Sequence, residues 1–112
     1  MSRQAAEKRG RRAEQLAALL LMAKGWRIVA RRRRMPMIEV DLVARRGAML
    51  AVVEVKRRAT LEAATLALTP RAAERLRAAA FQLAAEAGPE VCGRVDLIAL
   101  APGRWPRHIA GV

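Results

Sequence analysis

The chain has 112 residues, long enough for one core and too short for two independent ones. Its 22 Lys and Arg against 10 Asp and Glu leave a net charge of +12, which points to a polyanionic partner, with nucleic acid ahead of membrane because no long amphipathic basic helix is evident. A single cysteine, Cys92, excludes a disulfide framework or a cysteine-based zinc site within one chain, and no apolar run approaches the roughly 20 residues of a membrane span.

The first predicted element is a helix from about Ala5 to Lys24, stopped by Gly25, with Ala13, Leu16, Ala17 and Leu20 facing inward. Its basic start and the apolar stretch Leu16 to Ala23 imitate a signal peptide, but Glu14 and Gln15 interrupt the pattern and the apolar run is short. The expectation is a folded helix in a cytoplasmic protein. Glu14 lies on one helical line with Ala17, Ala18 and Leu21, at or beside a face meant for the core. It is either a boundary residue paired with Arg11 or Arg12, or a carboxylate brought to a site.

Strands follow at about Trp26 to Arg31, Ile38 to Ala44 and Met49 to Lys56. The last two read as a hairpin. With Gly47-Ala48 as a two-residue type II′ turn, Arg46 opposes Met49 and, counting outward, Asp41 opposes Glu54, with β-carbons roughly 5 Å apart. A slip of one residue would send the two carboxylates to opposite faces. Alternation places Glu54 and Lys56 on one face and Val53 and Val55 on the other. Two carboxylates that close repel each other, and a divalent cation relieves the repulsion by taking oxygen ligands from both. A plain Glu54–Lys56 ion pair is the alternative. Glu39 shares the Asp41 face, nearer the strand end.

Ala59 to Leu68 has no glycine and suits a short helix. Thr69-Pro70 then starts a long helix, a side-chain cap followed by proline at the first position, which Gly88-Pro89 stops. Ala72, Ala73, Leu76, Ala80 and Leu83 are its predicted buried face. Val91 to Leu100 forms the last clear strand, with Asp96 among apolar neighbours in a structural or edge role, and Arg107 to Val112 adds a short edge that carries His108. The order predicts one α/β domain over 1–112, a mixed sheet of four to five strands flanked by helices.

Asp41, twelve intervening residues and Glu54-x-Lys56 resemble the PD-(D/E)xK signature of restriction-endonuclease-like folds. More of the chain resembles the small bacterial YraN (UPF0102) family, related to archaeal Holliday junction resolvases. The matching blocks are Gly10 to Glu14, Gly25 to Ile28, Glu39 to Ala44, Val52 to Arg57, Leu68 to Arg71 with Arg75-Leu76, and Arg94 to Ile98. Four departures stand out. Ile38 replaces a usual glycine, arginines fill a basic stretch that usually holds an asparagine, Ala59 to Leu68 lacks glycine, and Ala72-Ala73 replaces an expected lysine.

The resemblance implies a nucleic-acid-binding, Mg²⁺- or Mn²⁺-dependent endonuclease that hydrolyses DNA phosphodiester bonds, on branched or junction DNA, and works as a homodimer. The alternative is a non-catalytic DNA- or RNA-binding protein that keeps the nuclease fold. The implied metal ligands are Asp41, Glu54, the backbone carbonyl of Val55, and Glu14, the residue that matches a helix-borne glutamate of related resolvases; Lys56 orients the attacking water. Phosphate contacts are expected from Arg31, Arg32, Arg33 and Arg34 before the hairpin, from Arg57 and Arg58 after it, and from Arg71, Arg75 and Gln82 on the long helix. With only three aromatic residues, base stacking is not expected to dominate binding.

Overall fold

The turn at Gly47-Ala48 sets the register of the centre of the fold. In the computed structural model, which describes residues 3–112 and their side chains from Gly10 onward, Gly47 has φ +60° and Ala48 does not enter the left-handed region, the combination a type II′ turn requires. Strands β2 (Glu39–Arg46) and β3 (Met49–Arg57) therefore pair antiparallel from Arg46–Met49 through Leu42–Val53, the predicted register. Strand β1 (Arg27–Arg34) pairs antiparallel with β2, and β4 (Cys92–Leu100) lies parallel to β3. The short β5 (Arg107–Ile109) closes the other edge, giving a mixed five-stranded sheet of order β1-β2-β3-β4-β5. The predicted α/β class and strand number are observed. β1 runs to Arg34, beyond the expected Arg31, because its pairing with β2 continues to Arg34–Glu39.

Helices cover both faces. Helix α1 (Arg3–Ala23) ends at Gly25, whose φ of +89° lets the Trp26 amide reach back to the Leu21 carbonyl at 3.0 Å. Its buried residues Ala13, Ala17, Ala18 and Leu21 pack with Trp26, Leu42, Ala44, Val53 and Ile98. Leu16 departs from the expected inner face and is 55% exposed, because the helix turns the Ala17–Ala18–Leu21 line to the sheet.

The crossover from β3 to β4 carries a single short turn, α2 (Leu61–Thr65), capped by Thr60, and then α3 (Pro70–Ala87). The Thr69 hydroxyl accepts from the Ala72 amide at 3.1 Å, so the predicted cap and proline start α3 as expected. Ala73, Leu76, Ala80 and Leu83 are buried as predicted, joined by Ala79 and Ala84, while Ala72 is only half-buried. Leu76, Ala79, Ala80 and Leu83 pack with Val40, Val43, Leu50, Val52 and Val95 on the face opposite α1. Because β3 and β4 are parallel, α3 must return antiparallel to them. Its first two turns, with Arg71 and Arg75, lie at the C-terminal ends of these strands.

Candidate metal and nucleic-acid site

The β2–β3 ladder stops where the site begins. Leu42–Val53 is the last backbone pair, and the next step of the same register sets Asp41 beside Glu54. There the Val55 amide bonds the Asp41 carboxylate, at 2.8 Å, in place of a strand carbonyl. The two strands thus part around a carboxylate. Val40 and Leu42, which alternation would put on one face, belong to different halves of the core, so the pleat of β2 breaks at Asp41. Across from it on β1, Arg32 has φ +50°, the only non-glycine residue among those described in the left-handed region.

Glu54 and Lys56 share a face, as alternation requires, with 3.6 Å between the Lys56 ammonium and the Glu54 carboxylate. The Glu54 side chain is only 12% exposed. Burial first, then a hydrogen bond and charge repulsion from Asp41, push its carboxyl up to about 8 despite the opposing pull of Lys56. The donor set of two crowded carboxylates suits a hard divalent cation, whose charge removes both the repulsion and the burial penalty. In an extended strand a residue's amide and carbonyl face the same neighbour, so the Val55 carbonyl opens on the same gap.

Glu14 sits one step away. Its carboxylate is 18% exposed and is held by Arg32 Nε at 2.8 Å, not by Arg11 or Arg12. Arg32 keeps its proton more firmly than a free arginine, through Glu14 foremost and through the fields of Glu39 and Asp41. Among the described residues no three His, Cys, Asp or Glu side chains are grouped closely enough to hold a metal ion, and Glu14 is paired with Arg32.

The family profile described as "Uncharacterised protein family UPF0102" matches residues 13–100. The chain belongs to UPF0102. A UPF0102 protein of Caulobacter vibrioides is 56% identical over 107 residues, which cover 94% of this chain and 86% of that protein. One from Caulobacter sp. strain K31 is 54% identical over 107 residues, covering 94% and 77%. Another from Brucella canis is 49% identical over 104 residues, covering 90% and 82%.

In this UPF0102 chain the predicted phosphate contacts fall into two groups. Arg33, Arg34, Arg57, Arg58 and Arg71 are exposed, with Arg34 at the edge of ion-pair range from Glu39, 4.0 Å. Others are engaged within the fold: Arg31 bonds Gln15 at 2.7 Å, Arg32 holds Glu14, and Gln82 bonds Glu86 at 3.3 Å. Arg75 is half-buried. Asp96, by contrast, is structural. Fully buried, it accepts two bonds from Arg94 (2.9 and 3.1 Å), shares one with His108 Nε2 (2.8 Å) and accepts one from the Gly111 amide (3.2 Å). His108 is committed to this cluster on the edge strand.

Two residues carry no signal of this kind in the sequence. Arg32 reads there as one arginine of four, whereas in the fold it has a positive φ and pairs with Glu14. Trp105 reads as a loop aromatic, yet it is 90% exposed.

Proposed function

We propose that this chain is a DNA-binding, divalent-metal-dependent endonuclease of the restriction-endonuclease-like (PD-(D/E)xK) superfamily, related to archaeal Holliday junction resolvases and acting on branched DNA. The observation that carries this reading is the Asp41–Glu54–Lys56 arrangement: two adjacent carboxylates, one desolvated and held up to about 8, with an ammonium 3.6 Å away. A simple ion pair needs no second carboxylate, and burying one beside another costs stability unless a cation answers it.

Asp41, Glu54 and the Val55 carbonyl would hold Mg²⁺ or Mn²⁺, with Glu14 completing the set once Arg32 releases it. Bound there, the cation would supply Lewis acidity at the scissile phosphate and a more acidic water. Lys56 orients the attacking water and gives its charge to the developing phosphorane oxygens. Exposed Arg57, Arg58 and Arg71 lie at the same end of the strands and suit phosphate contacts that position the backbone without reading bases. A cytoplasmic location and a two-fold dimer suited to a symmetric junction belong to the same proposal.

The grip of Arg32 on Glu14 favours a second reading, a DNA-binding protein with no physiological cleavage. Linear, flapped and four-way-junction DNA incubated with Mg²⁺, Mn²⁺ or EDTA separates the two, beside folded Glu54→Ala and Lys56→Ala proteins. Metal-dependent cutting that both substitutions reduce by at least about 10²-fold is expected. Intact DNA in every lane, with binding retained, selects the non-catalytic reading.

A further inference from the structure

A groove of about 760 Å³ runs between α1 and the β4–β5 loop, within the roughly 300–1,000 Å³ of ligand clefts. Its apolar wall is Leu16 and Leu20 of α1, and its far side is Trp105. Among the described residues, Arg12, Arg57 and Arg104 line it and no acidic residue does. The Trp105 indole stands 90% exposed in a short loop whose turn is closed by Arg104 N to Ala101 O at 3.3 Å, with Pro106 confining the backbone of Trp105 to extended conformations. Arg57 follows Lys56 at the C-terminal end of β3 with its side chain on the opposite face, the α1 side shared with Val53 and Val55, and Ala13 precedes Glu14, so the groove meets the candidate carboxylates around the end of that strand.

An exposed aromatic face, an apolar wall and three cations have one common complement, a base on a phosphate backbone. A second copy of the chain fits less well, because a two-fold contact here would bring arginines against arginines in a protein of net charge +12. A duplex offers phosphates but no free base face. We propose that this groove holds an unpaired nucleotide of the DNA strand next to the cleavage site, its base stacked on Trp105 and its phosphates on Arg12, Arg57 and Arg104. The inference rests on the DNA-binding reading above and narrows the substrate to DNA with a single-stranded segment adjoining the duplex.

The test measures binding by the full chain in EDTA, so that it does not depend on cutting. A blunt duplex and the same duplex bearing a single-stranded flap are titrated into the wild type, Trp105→Ala and Trp105→Phe. The flapped DNA is expected to bind the wild type more tightly than the duplex and to quench its tryptophan emission. Trp105→Ala should lose about tenfold on the flap and nothing on the duplex, with Trp105→Phe recovering most of the loss. Because Trp26 is buried, Trp105→Phe should also abolish the quenching. Equal binding of flap and duplex, or a flap affinity indifferent to Trp105→Ala, overturns the proposal while leaving duplex binding and the nuclease site standing. Failure to bind any DNA overturns both readings. Loss of a dimer on sedimentation of Trp105→Ala, with DNA affinity unchanged, assigns the groove to self-association and likewise overturns the proposal.

Discussion

Glu54 links the candidate chemistry to stability. Its carboxyl lies near 8 in the folded protein against 4.5 when unfolded, so the unfolded chain gives up its proton first as pH rises. Below about 4.5 both states hold the proton and Glu54 carries no penalty; between 4.5 and 8 the native state loses stability relative to the unfolded one, on the order of 2–4 kcal/mol in total. Metal-free Glu54→Gln should lack that decline and be the more stable protein at pH 8, as urea melts across this range would show. Cation binding must expel the same proton, so Mn²⁺ affinity of the wild type should climb by up to about tenfold per pH unit below 8, by calorimetry. Arg32 supplies a second test. Asparagine tolerates a φ of +50° better than arginine does, and it carries no charge. Arg32→Asn should free Glu14 and tighten Mn²⁺ about two- to fivefold, the equivalent of roughly 0.5–1 kcal/mol for a half-exposed ion pair. An unchanged affinity would remove Glu14 from the ligand set.

At the scale of elements, β4 is held by two devices of opposite chemistry. A β-carbon built on Gly93 would meet the Ala80 carbonyl oxygen at 2.5 Å, so only glycine lets α3 approach the start of this strand so closely. Gly93→Ala should cost about 1–3 kcal/mol in a denaturation midpoint at unchanged slope. Three residues on, Asp96 gathers Arg94, His108 and Gly111 in a fully buried cluster, and Asp96→Ala should cost about 3–5 kcal/mol by leaving Arg94 and its neighbours without their acceptor. Much of this level was legible in the sequence. Gly47-Ala48 fixed the hairpin count, Thr69-Pro70 marked the start of α3, and both are local signals whose geometry depends on a few adjacent residues. Leu16 was not legible, since an apolar residue facing a groove and one facing the core look alike in a periodic pattern. Nor was the pairing of Glu14 with Arg32, which depends on how β1 meets α1 across 18 positions. The two carboxylates of the hairpin were readable because a turn sets their register; the third required tertiary structure.

Over the whole molecule, charge outweighs any single contact. If about six arginines engage phosphates, log affinity for DNA should fall against log salt with a slope near −5, measurable by anisotropy between roughly 50 and 200 mM salt. A slope near zero would mean that the +12 serves another partner. The same charge shapes what the fold avoids. Strand β1 is an open edge of the sheet, its outer backbone groups ready to pair with any extended chain, and its second half is Arg31, Arg32, Arg33 and Arg34. Two such edges brought together would concentrate the arginines of both copies on one seam, so charge opposes growth of the sheet from copy to copy through β1. Polyanions neutralise that guard: nucleic acid at sub-saturating ratios would lower the barrier to edge-on aggregation, and an excess, by covering β1, would restore it.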